Sequence, residues 1–339
     1  SNVTDMQFMF GSANNFNQNI SNWNVSNVQR FDYMFSNSDS FDQNIGDWDI
    51  SSMIAAEKMF QNVTLSTVNY DEILKGWSTL LETESKIPMN IIIDFGNSVY
   101  SVCGGGNIAR EKLIQEYNWT IQDGGRLEEN EFSDYDGNLY SNLEFGNQIW
   151  TNKNLIVKHY KNGDPIPFIE DREEWASTTS GAWTYYFNNE ENFEKFGIIY
   201  NGYALKDSRG LFPDGYKVPS SDEWNIFLNY LISEGYNFDG TKEGNKVAKS
   251  IASEDYWADS NTLGTPGNDS NSNNQSGFNS TPGGSRDGNG YWQASGDFSL
   301  MWTSDNKAAK LLKFSVDLGI TDGASDKWGY YIRLIKVCN

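Results

Sequence analysis

Residues 1–25 read SNVTDMQFMFGSANNFNQNISNWNV, and residues 26–50 repeat the phrase as SNVQRFDYMFSNSDSFDQNIGDWDI. The copies agree at apolar and Asn positions: Val3/Val28, Met9/Met34, Phe10/Phe35, Phe16/Phe41, Asn19/Asn44, Ile20/Ile45 and Trp23/Trp48. A unit of 25 residues cannot bury its own aromatic and aliphatic side chains, so copies must stack to build one continuous core. The pattern therefore predicts a solenoid in which the repeated Phe and Trp residues are core residues.

A third, diverged copy follows the first two. Met53, Met59 and Phe60 keep the period, after which the phrase gives way to a helical pattern over residues 70–81. Terminal repeats diverge because they end the stack with a polar outer face. The first repeat shows no such divergence, so we expect the chain to begin inside a longer array, as a fragment whose N-terminal cap and any signal peptide lie outside it.

The repeated phrases, Asn-Val-x-x-Met-x-x-Met-Phe and Phe-Asn-Gln-x-Ile-x-x-Trp, resemble the BspA-type leucine-rich repeats of bacterial surface proteins. Residues 90–125 resemble the closing unit of such arrays. Their pattern reads as a strand, a Gly-rich turn, a helix with Ile108, Leu113, Ile114 and Tyr117 on its apolar face, and a short strand. We expect three repeats at 1–80, a closing cap at 81–126 and a linker at 127–133.

Composition limits the function classes. The formal net charge is −21, and no stretch gathers enough Lys and Arg for binding to nucleic-acid phosphates. No apolar run reaches the length of a membrane span. The two cysteines, Cys103 and Cys338, lie in different predicted domains, so a bridge between them is not expected. The single histidine, His159, excludes His-based metal triads and Ser/His/Asp catalysis, and we expect it in a strand or loop.

The second half of the chain opens with local signals. Alternation around Asp136-Gly137 and Gly146-Asn147 predicts strands joined by tight turns, and this explains Asp134, Asp136 and Asn138 better than a calcium loop does. Further on, Ser220 or Ser221 can cap a helix with Glu223 in its first turn. The helix would bury the stripe Trp224, Phe227, Leu228 and Leu231.

A succession of phrases over residues 130–339 resembles the Fibrobacter succinogenes major paralogous domain. The phrases are DGNLY (136–140), GNQIW (146–150), DPIP (164–167), YNGYAL (200–205), PDGYKVPSSDEW (213–224), NQSGF (274–278), PGGSRDGNG (282–290), WTS (302–304) and YYIRLIKV (330–337). That family is similar to C-type lectin-like domains of the branch that includes formylglycine-generating enzyme and the variable proteins of diversity-generating retroelements.

The resemblance implies an α+β two-domain chain. A short leucine-rich-repeat solenoid with a C-terminal α/β cap would precede a C-type lectin-like mixed α+β domain over residues 134–339. The family usually has Cys where this chain has Phe212 and Leu334, so we expect these two side chains to lie near one another. The sugar motifs of calcium-dependent lectins and the paired cysteines of the formylglycine-generating branch are absent from the sequence, so neither activity is expected.

In this branch the recognition surface lies in the loops between the Gly-Gly-x-Arg-like phrase and the last strand. The resemblance therefore implies ligand-binding residues within 286–328: Tyr291, Trp292, Gln293, Ser304, Asp305, Asn306, Lys307, Asp326, Lys327 and Trp328. Tyr and Trp offer rigid contact faces, and the amides and carboxylates can bond sugar hydroxyls or peptide groups. Trp302 is expected in the core, whereas Trp292 and Trp328 fit either role.

A polar loop offers a candidate cation site. Its oxygen donors suit a hard cation such as calcium, although a polar, mobile loop explains them better: Asn268, Asp269, Asn273 and Asn274. We expect a non-enzymatic adhesin, secreted or on a bacterial surface, that binds an extracellular glycan or a surface protein. The alternatives are a carbohydrate-active enzyme using paired carboxylates and a purely structural, protein-binding module.

Overall fold

The computed structural model describes residues 2–80, 84–103, 105–127 and 131–337. The chain divides into two compact units, residues 1–129 and residues 130–337. No helix in the described ranges combines the length and the apolar character that a membrane span needs.

The first unit consists of stacked copies of the 25-residue phrase. Met6 N donates to the carbonyl of Arg30 at 2.9 Å, and Phe31 N donates to Ala55 O at 2.9 Å, so each copy bonds the next in parallel register. Two backbone positions in each copy adopt a positive φ, at Phe8/Tyr33/Lys58 and at Ser12/Asn37/Asn62. The copies therefore share a backbone conformation as well as a sequence.

Rows of aromatic rings run through this stack. Phe10 lies 5.6 Å from Phe35, Phe35 lies 5.4 Å from Phe60, and Phe60 lies 5.1 Å from Phe95. Phe41 and Trp48 of the second copy are fully buried, whereas their counterparts Phe16 and Trp23 in the first copy are half-buried. The second copy is covered on both sides, and this accounts for the difference.

The stack ends in helices and short strands, which are α1 (Thr67–Trp77), β1 (Ile92–Asp94), α2 (Gly106–Tyr117) and β2 (Thr120–Gln122). β1 and β2 pair in parallel. Helix α2 differs from the expected apolar face, because Ile108 is 49% exposed while Ala109 and Leu113 are buried. Cys103 is disulfide-bonded, so the expectation of unbridged cysteines is wrong for Cys103, whereas Cys338 lies outside the described residues.

The second unit contains thirteen strands, five α-helices and two 3₁₀ turns within its described residues, 131–337. Its strands are β3 (Glu131–Ser133), β4 (Leu139–Phe145), β5 (Gln148–Thr151), β6 (Trp183–Thr184), β7 (Ile199–Asn201), β8 (Tyr216–Lys217), β9 (Ser285–Arg286), β10 (Trp292–Gln293), β11 (Phe298–Trp302), β12 (Ala308–Leu312), β13 (Gly319–Ile320), β14 (Gly329–Tyr330) and β15 (Ile335–Lys336). Its helices are α3 (Arg172–Ser177), α4 (Glu190–Phe196), α5 (Gly202–Leu205), α6 (Ser221–Ser233) and α7 (Ala248–Ile251), with 3₁₀ turns at Tyr186–Asn188 and Ser270–Ser272.

These strands form three sheets. Their orders are β10-β9-β14-β7-β6, β11-β12-β13 and β3-β4-β5-β15-β8. Residues 131–133, which we expected to belong to a linker, form β3 and pair with β4. The segment is also held by Phe132, whose ring centre lies 3.8 Å from that of Tyr216 on β8. The turns at Asp136-Gly137 and Gly146-Asn147 connect strands as predicted.

Helix α6 closes one side of the core. Ser220 is its N-cap and forms a capping box with Glu223, and Trp224, Phe227 and Leu231 are buried as the sequence predicts. Leu228, predicted in the same stripe, is only half-buried and packs at the edge of the cluster. At its start, Ser221 donates to the carboxylate of Asp305, so the helix also holds the loop that contains Asp305.

Candidate functional site

The residues predicted to bind a ligand lie in three short segments. Tyr291, Trp292 and Gln293 lie at β10, residues 304–307 form the turn between β11 and β12, and residues 326–328 lead into β14. β9 lies between β10 and β14 in one sheet, so the first and third segments lie one strand apart. The structure therefore places two of the three segments in the same part of one sheet.

Arg286 on β9 anchors this region. Its guanidinium donates to the carbonyls of Ile169 at 2.7 Å, Glu170 at 2.8 Å, Asp171 at 3.1 Å and Gly290 at 3.2 Å. Burial lowers the pKa of Arg286 to about 10, although Asp171 and Asp287 oppose this shift. Every nitrogen of the group is bonded, so Arg286 ties the distant loop at residues 169–171 and the neighbouring turn at Gly290 to the sheet.

Two indole rings enclose the same guanidinium. The Cζ atom lies 4.7 Å from the ring centre of Trp175 and 4.8 Å from that of Trp292. Trp292 is therefore half in the core, and only its outer face remains for a ligand. Trp302 is 1% exposed and donates through Nε1 to the carbonyl of Tyr200 at 2.8 Å, as expected of a core residue.

A tight turn presents Tyr291 to solvent. The Asp287 Oδ1 atom accepts from the backbone N of Asn289 and of Tyr291, both at 2.9 Å. Gly290 has a φ of +80°, and a Cβ there would lie 2.4 Å from the Arg172 carbonyl, so the turn requires glycine. Tyr291 is consequently held with 54% of its surface exposed, and the Arg172 guanidinium lies 4.8 Å from its ring centre.

Sequence reasoning missed two members of this surface. Phe187 is 61% exposed, has a positive φ of 53°, and lies 5.8 Å from Trp292. Arg172 starts α3 and covers Tyr291. The run Tyr185-Tyr186-Phe187 signalled aromatic packing, but nothing in it shows which ring faces outward. We call the group of Phe187, Tyr291, Trp292, Gln293 and Arg172 the aromatic platform.

Trp328 and Lys327 lie beside the turn that carries the platform. A Cβ on Gly288 would lie 3.1 Å from Trp328 Cδ1 and 3.3 Å from Lys327 Cβ. Trp328 stays 39% exposed and meets Tyr330 edge-on at 5.8 Å. The Lys327 ammonium donates to the Ala176 carbonyl at 2.7 Å, so this lysine already serves the fold.

Two of the remaining predicted residues, Ser304 and Asn306, line a cavity of about 170 Å³ together with Lys206 and Phe212. The Lys206 ammonium donates to Asp326 at 2.6 Å, which connects this cavity to the third loop segment. Lys307 is half-buried and lies 3.5 Å from Asp305.

Asp305 has a structural task in the same turn. Its carboxylate accepts from Ser221 N at 3.0 Å and from Ser221 Oγ at 2.7 Å, at the start of α6. Burial alone would raise the pKa of Asp305, but hydrogen bonds from Ser221 and Thr303 lower it to about 2. The residue therefore joins the β11–β12 turn to the helix.

The candidate calcium donors surround a lysine. The Lys249 ammonium donates to the carbonyl of Asn268, to the carbonyl of Asp269 at 2.8 Å and to Asn273 Oδ1 at 3.1 Å. Asn274 Oδ1 accepts from Asn279 N at 2.8 Å. Within the described ranges no group of three or more His, Cys, Asp or Glu side chains is placed to hold a metal ion. Calcium binding here stays a prediction, and a calcium ion would compete with Lys249.

Other residues that the sequence analysis singled out contact neighbours within the fold. Asp134 accepts from Asn138 N at 3.0 Å and from the Tyr140 hydroxyl at 2.6 Å, which is the bonding of a hairpin turn. His159 Nδ1 lies 2.5 Å from Asp136 Oδ1. Phe212 and Leu334 belong to the same hydrophobic cluster.

Comparison with protein families gives two matches. A family model described as Fibrobacter succinogenes major domain matches residues 143–336, more than half of the chain. A second, described as Mycoplasma protein of unknown function, DUF285, matches residues 1–86. No curated protein and no solved structure matches the chain.

Proposed function

This chain belongs to the Fibrobacter succinogenes major domain family, and we propose that its second unit is the ligand-binding module of an extracellular adhesin. In this proposal the module has a C-type lectin-like fold, and it acts without catalysis on a glycan or a surface protein. The first unit is a BspA-type leucine-rich-repeat stalk that is secreted or displayed on a bacterial surface.

The aromatic platform is the observation that carries the proposal. Phe187 and Tyr291 are 61% and 54% exposed, so each keeps a large apolar ring surface in contact with water that a ligand could cover. The backbone at Tyr291 is held by Asp287 and, through Gly290, by Arg286, whereas Phe187 lies in a 3₁₀ turn in which Asn188 N donates to Tyr185 O at 2.9 Å. Rigid, exposed aromatic rings beside amides and charged groups are typical of surfaces that bind sugars or peptides.

The stalk assignment is supported by the regularity of the first unit. Backbone hydrogen bonds connect successive copies, and the positive-φ positions recur with the period of the sequence. Each copy contacts its neighbours through rows of stacked rings, as repeats of a solenoid do. Such an array has the quasi-one-dimensional construction of a spacer.

Binding to a glycan array, with and without a calcium chelator, tests the proposal. We expect saturable binding by the full chain, and about a tenfold loss in Tyr291→Ala and Phe187→Ala, because each removes a large contact face. Tyr135→Ala is the matched control, since Tyr135 is 58% exposed and lies outside the platform. Its binding should equal that of the unmodified chain.

Each other outcome selects a different function. Loss of binding on chelation would add a metal site to the adhesin. Release of sugar from a bound glycan would favour the carbohydrate-active enzyme with paired carboxylates. If the chain bound no glycan on the array but bound a purified surface protein, the result would favour the protein-binding module. Equal loss in Tyr135→Ala and Tyr291→Ala would show that the platform is not the contact surface.

A further inference from the structure

A separate cavity of about 300 Å³ lies in the second unit, near α4 and the residues that precede β15. Its lining includes Lys153, Asn154, Phe193, Lys195, Thr281 and Arg333. It shares no lining residue with the aromatic platform. Its volume lies at the lower end for small-molecule sites and suits a ligand the size of a monosaccharide.

Arg333 is a buried cation without an anionic partner in the described part of the chain. It is 1% exposed, and its Nη1 atom donates to the carbonyls of Thr151 at 2.9 Å and Phe278 at 2.7 Å. Burial lowers the pKa of Arg333 to about 9, and no neighbouring charge opposes this shift. The group is still charged at neutral pH, and isolated buried charges are costly unless paired.

Three polar atoms of lining residues lack hydrogen-bond partners within the described residues. They are Arg333 Nε, which needs an acceptor, Asn154 Oδ1, which needs a donor, and Thr281 Oγ1, which takes either. Asn154 is oriented by its other amide atom, since Nδ2 donates to the Phe196 carbonyl at 3.2 Å. Native proteins seldom leave several such groups unpaired at one place.

The charge at this cavity is opposite in sign to that of the chain. Lys153, Lys195 and Arg333 line it together with one carboxylate, Glu194, and Lys195 also lies 3.6 Å from the carboxylate of Glu191 on the same helix. The whole chain carries a formal charge of −21. A local excess of cations beside a low-dielectric wall attracts anions and strengthens their binding. Apolar surface is present as well, from Ile156, Phe193 and Phe196.

We propose that this cavity binds an acidic sugar, a hexuronate residue that is either free or at the end of a glycan. The carboxylate pairs with the cations, and the hydroxyls bond Asn154, Thr281 and Arg333 once a small shift of these side chains exposes their buried polar atoms to the cavity. The apolar C–H face of the ring packs on the Phe193 side of the cavity. This site is distinct from the aromatic platform and does not depend on it.

Calorimetric titration of the full chain tests the ligand class, with D-glucuronate, D-glucose and acetate as probes. We expect D-glucuronate to bind at least about tenfold more tightly than either of the others, because glucose lacks the carboxylate and acetate lacks the hydroxyls. Methyl β-D-glucuronide distinguishes the two sources. Equal affinity identifies a glycan end, and weaker affinity identifies the free sugar.

Variants locate the site. Thr281→Val and Lys195→Met should each weaken D-glucuronate binding by about threefold to tenfold without unfolding the chain, because Thr281→Val removes a hydroxyl that bonds nothing in the described part of the fold and Lys195 is partly exposed. Lys242→Met removes an exposed cation elsewhere in the same unit and should leave the affinity unchanged. Arg333→Met should abolish binding, and its circular dichroism spectrum shows whether it has folded.

Several results would overturn the proposal. These are no saturable binding of D-glucuronate, equal binding of D-glucose, or equal binding of acetate. Loss of D-glucuronate binding in Tyr291→Ala but not in Thr281→Val would place the ligand on the platform instead. Failure of the glycan array with D-glucuronate binding intact would remove the adhesin proposal and leave this site in place.

Discussion

Arg286 and Arg333 are both fully buried guanidinium groups of the second unit, and their surroundings differ. All nitrogens of Arg286 donate to carbonyls, and two indole rings enclose it. Arg333 bonds carbonyls through its terminal nitrogens, packs on the single ring of Phe278 at 4.3 Å, and leaves Nε unpaired beside a cavity. The guanidinium of Arg286 therefore has all its hydrogen bonds within the fold, whereas that of Arg333 leaves one donor without an acceptor among the described residues.

The difference separates two uses of a buried charge. A guanidinium with all its donors satisfied holds loops together, and its removal leaves several acceptors unpaired. A guanidinium with an open donor and no counter-ion carries an unfavourable desolvation term that a bound anion can offset. The comparison can be tested by removing each charge in turn and measuring stability.

The largest expected effect is that of Arg286→Met. This change leaves the carbonyls of Ile169, Glu170 and Gly290 without donors, so we expect a loss of about 3–5 kcal/mol in the free energy of unfolding. Denaturant unfolding measures it. Arg172→Met is the control, because that exposed side chain should change stability by about 0.5 kcal/mol or less. A loss below 1 kcal/mol, on the order of a single hydrogen bond, would contradict the role of Arg286.

Arg333→Met should cost less. It leaves the carbonyls of Thr151 and Phe278 without a donor, but it also removes a buried charge that has no counter-ion. We expect a loss of about 1–2 kcal/mol by the same unfolding measurement. If Arg333→Met proved as damaging as Arg286→Met, the two arginines would play equivalent structural roles and the comparison would fail.

Asp305 extends the comparison to an anion that is partly exposed. Its pKa in the folded chain is about 2, below that of an unfolded Asp, so its charge stabilises the fold above about pH 4 and this contribution is lost as the pH falls toward 2. The Asp305 side chain is 40% exposed, which limits the effect through solvent screening.

Asp305→Asn isolates that charge while keeping an acceptor for Ser221. We expect the variant to be less stable than the unmodified chain at pH 7 by about 0.5 kcal/mol, with the difference shrinking between pH 4 and pH 2. Unfolding curves at a series of pH values provide the measurement. A difference that stays constant down to pH 2 would assign the effect to shape and not to charge.

The smallest expected effect concerns Lys249, a third cation held by oxygens. Its ammonium already bonds the Asp269 carbonyl and Asn273 Oδ1, so millimolar calcium should shift the melting temperature of the unmodified chain by about 1 °C or less. Lys249→Met frees those oxygens, and calcium should then stabilise the variant more than it stabilises the unmodified chain. A shift of several degrees in the unmodified chain would establish a calcium site despite Lys249.

The local parts of the fold could be predicted from the sequence. Repeats, the capping box at Ser220 and Glu223, and the turn at Asp136-Gly137 depend on residues close together in the chain or on a fixed period. Periodicity was less reliable in α2, where the exposed Ile108 shows that an apolar residue at helical spacing need not face the core.

Contacts between distant residues could not be predicted in the same way. Arg286 bonds Ile169, 117 residues away, and Lys249 on α7 bonds Asn273, 24 residues away. The family resemblance directed attention to the loops after Arg286, which include Tyr291 and Trp328. It did not indicate Phe187 or Arg172, because their exposure depends on how the preceding loops fold back onto the sheet.

The positive-φ positions of the first unit have a consequence for how such arrays change over evolutionary time. Phe8, Tyr33 and Lys58 share one backbone conformation although their side chains differ, and each copy bonds the next in constant register. Unequal recombination that gains or loses a whole unit preserves both properties. An insertion of a single residue disturbs the copy that contains it and its bonds to the neighbouring copies, so we expect length variation mainly in whole units and side-chain variation at these outward positions.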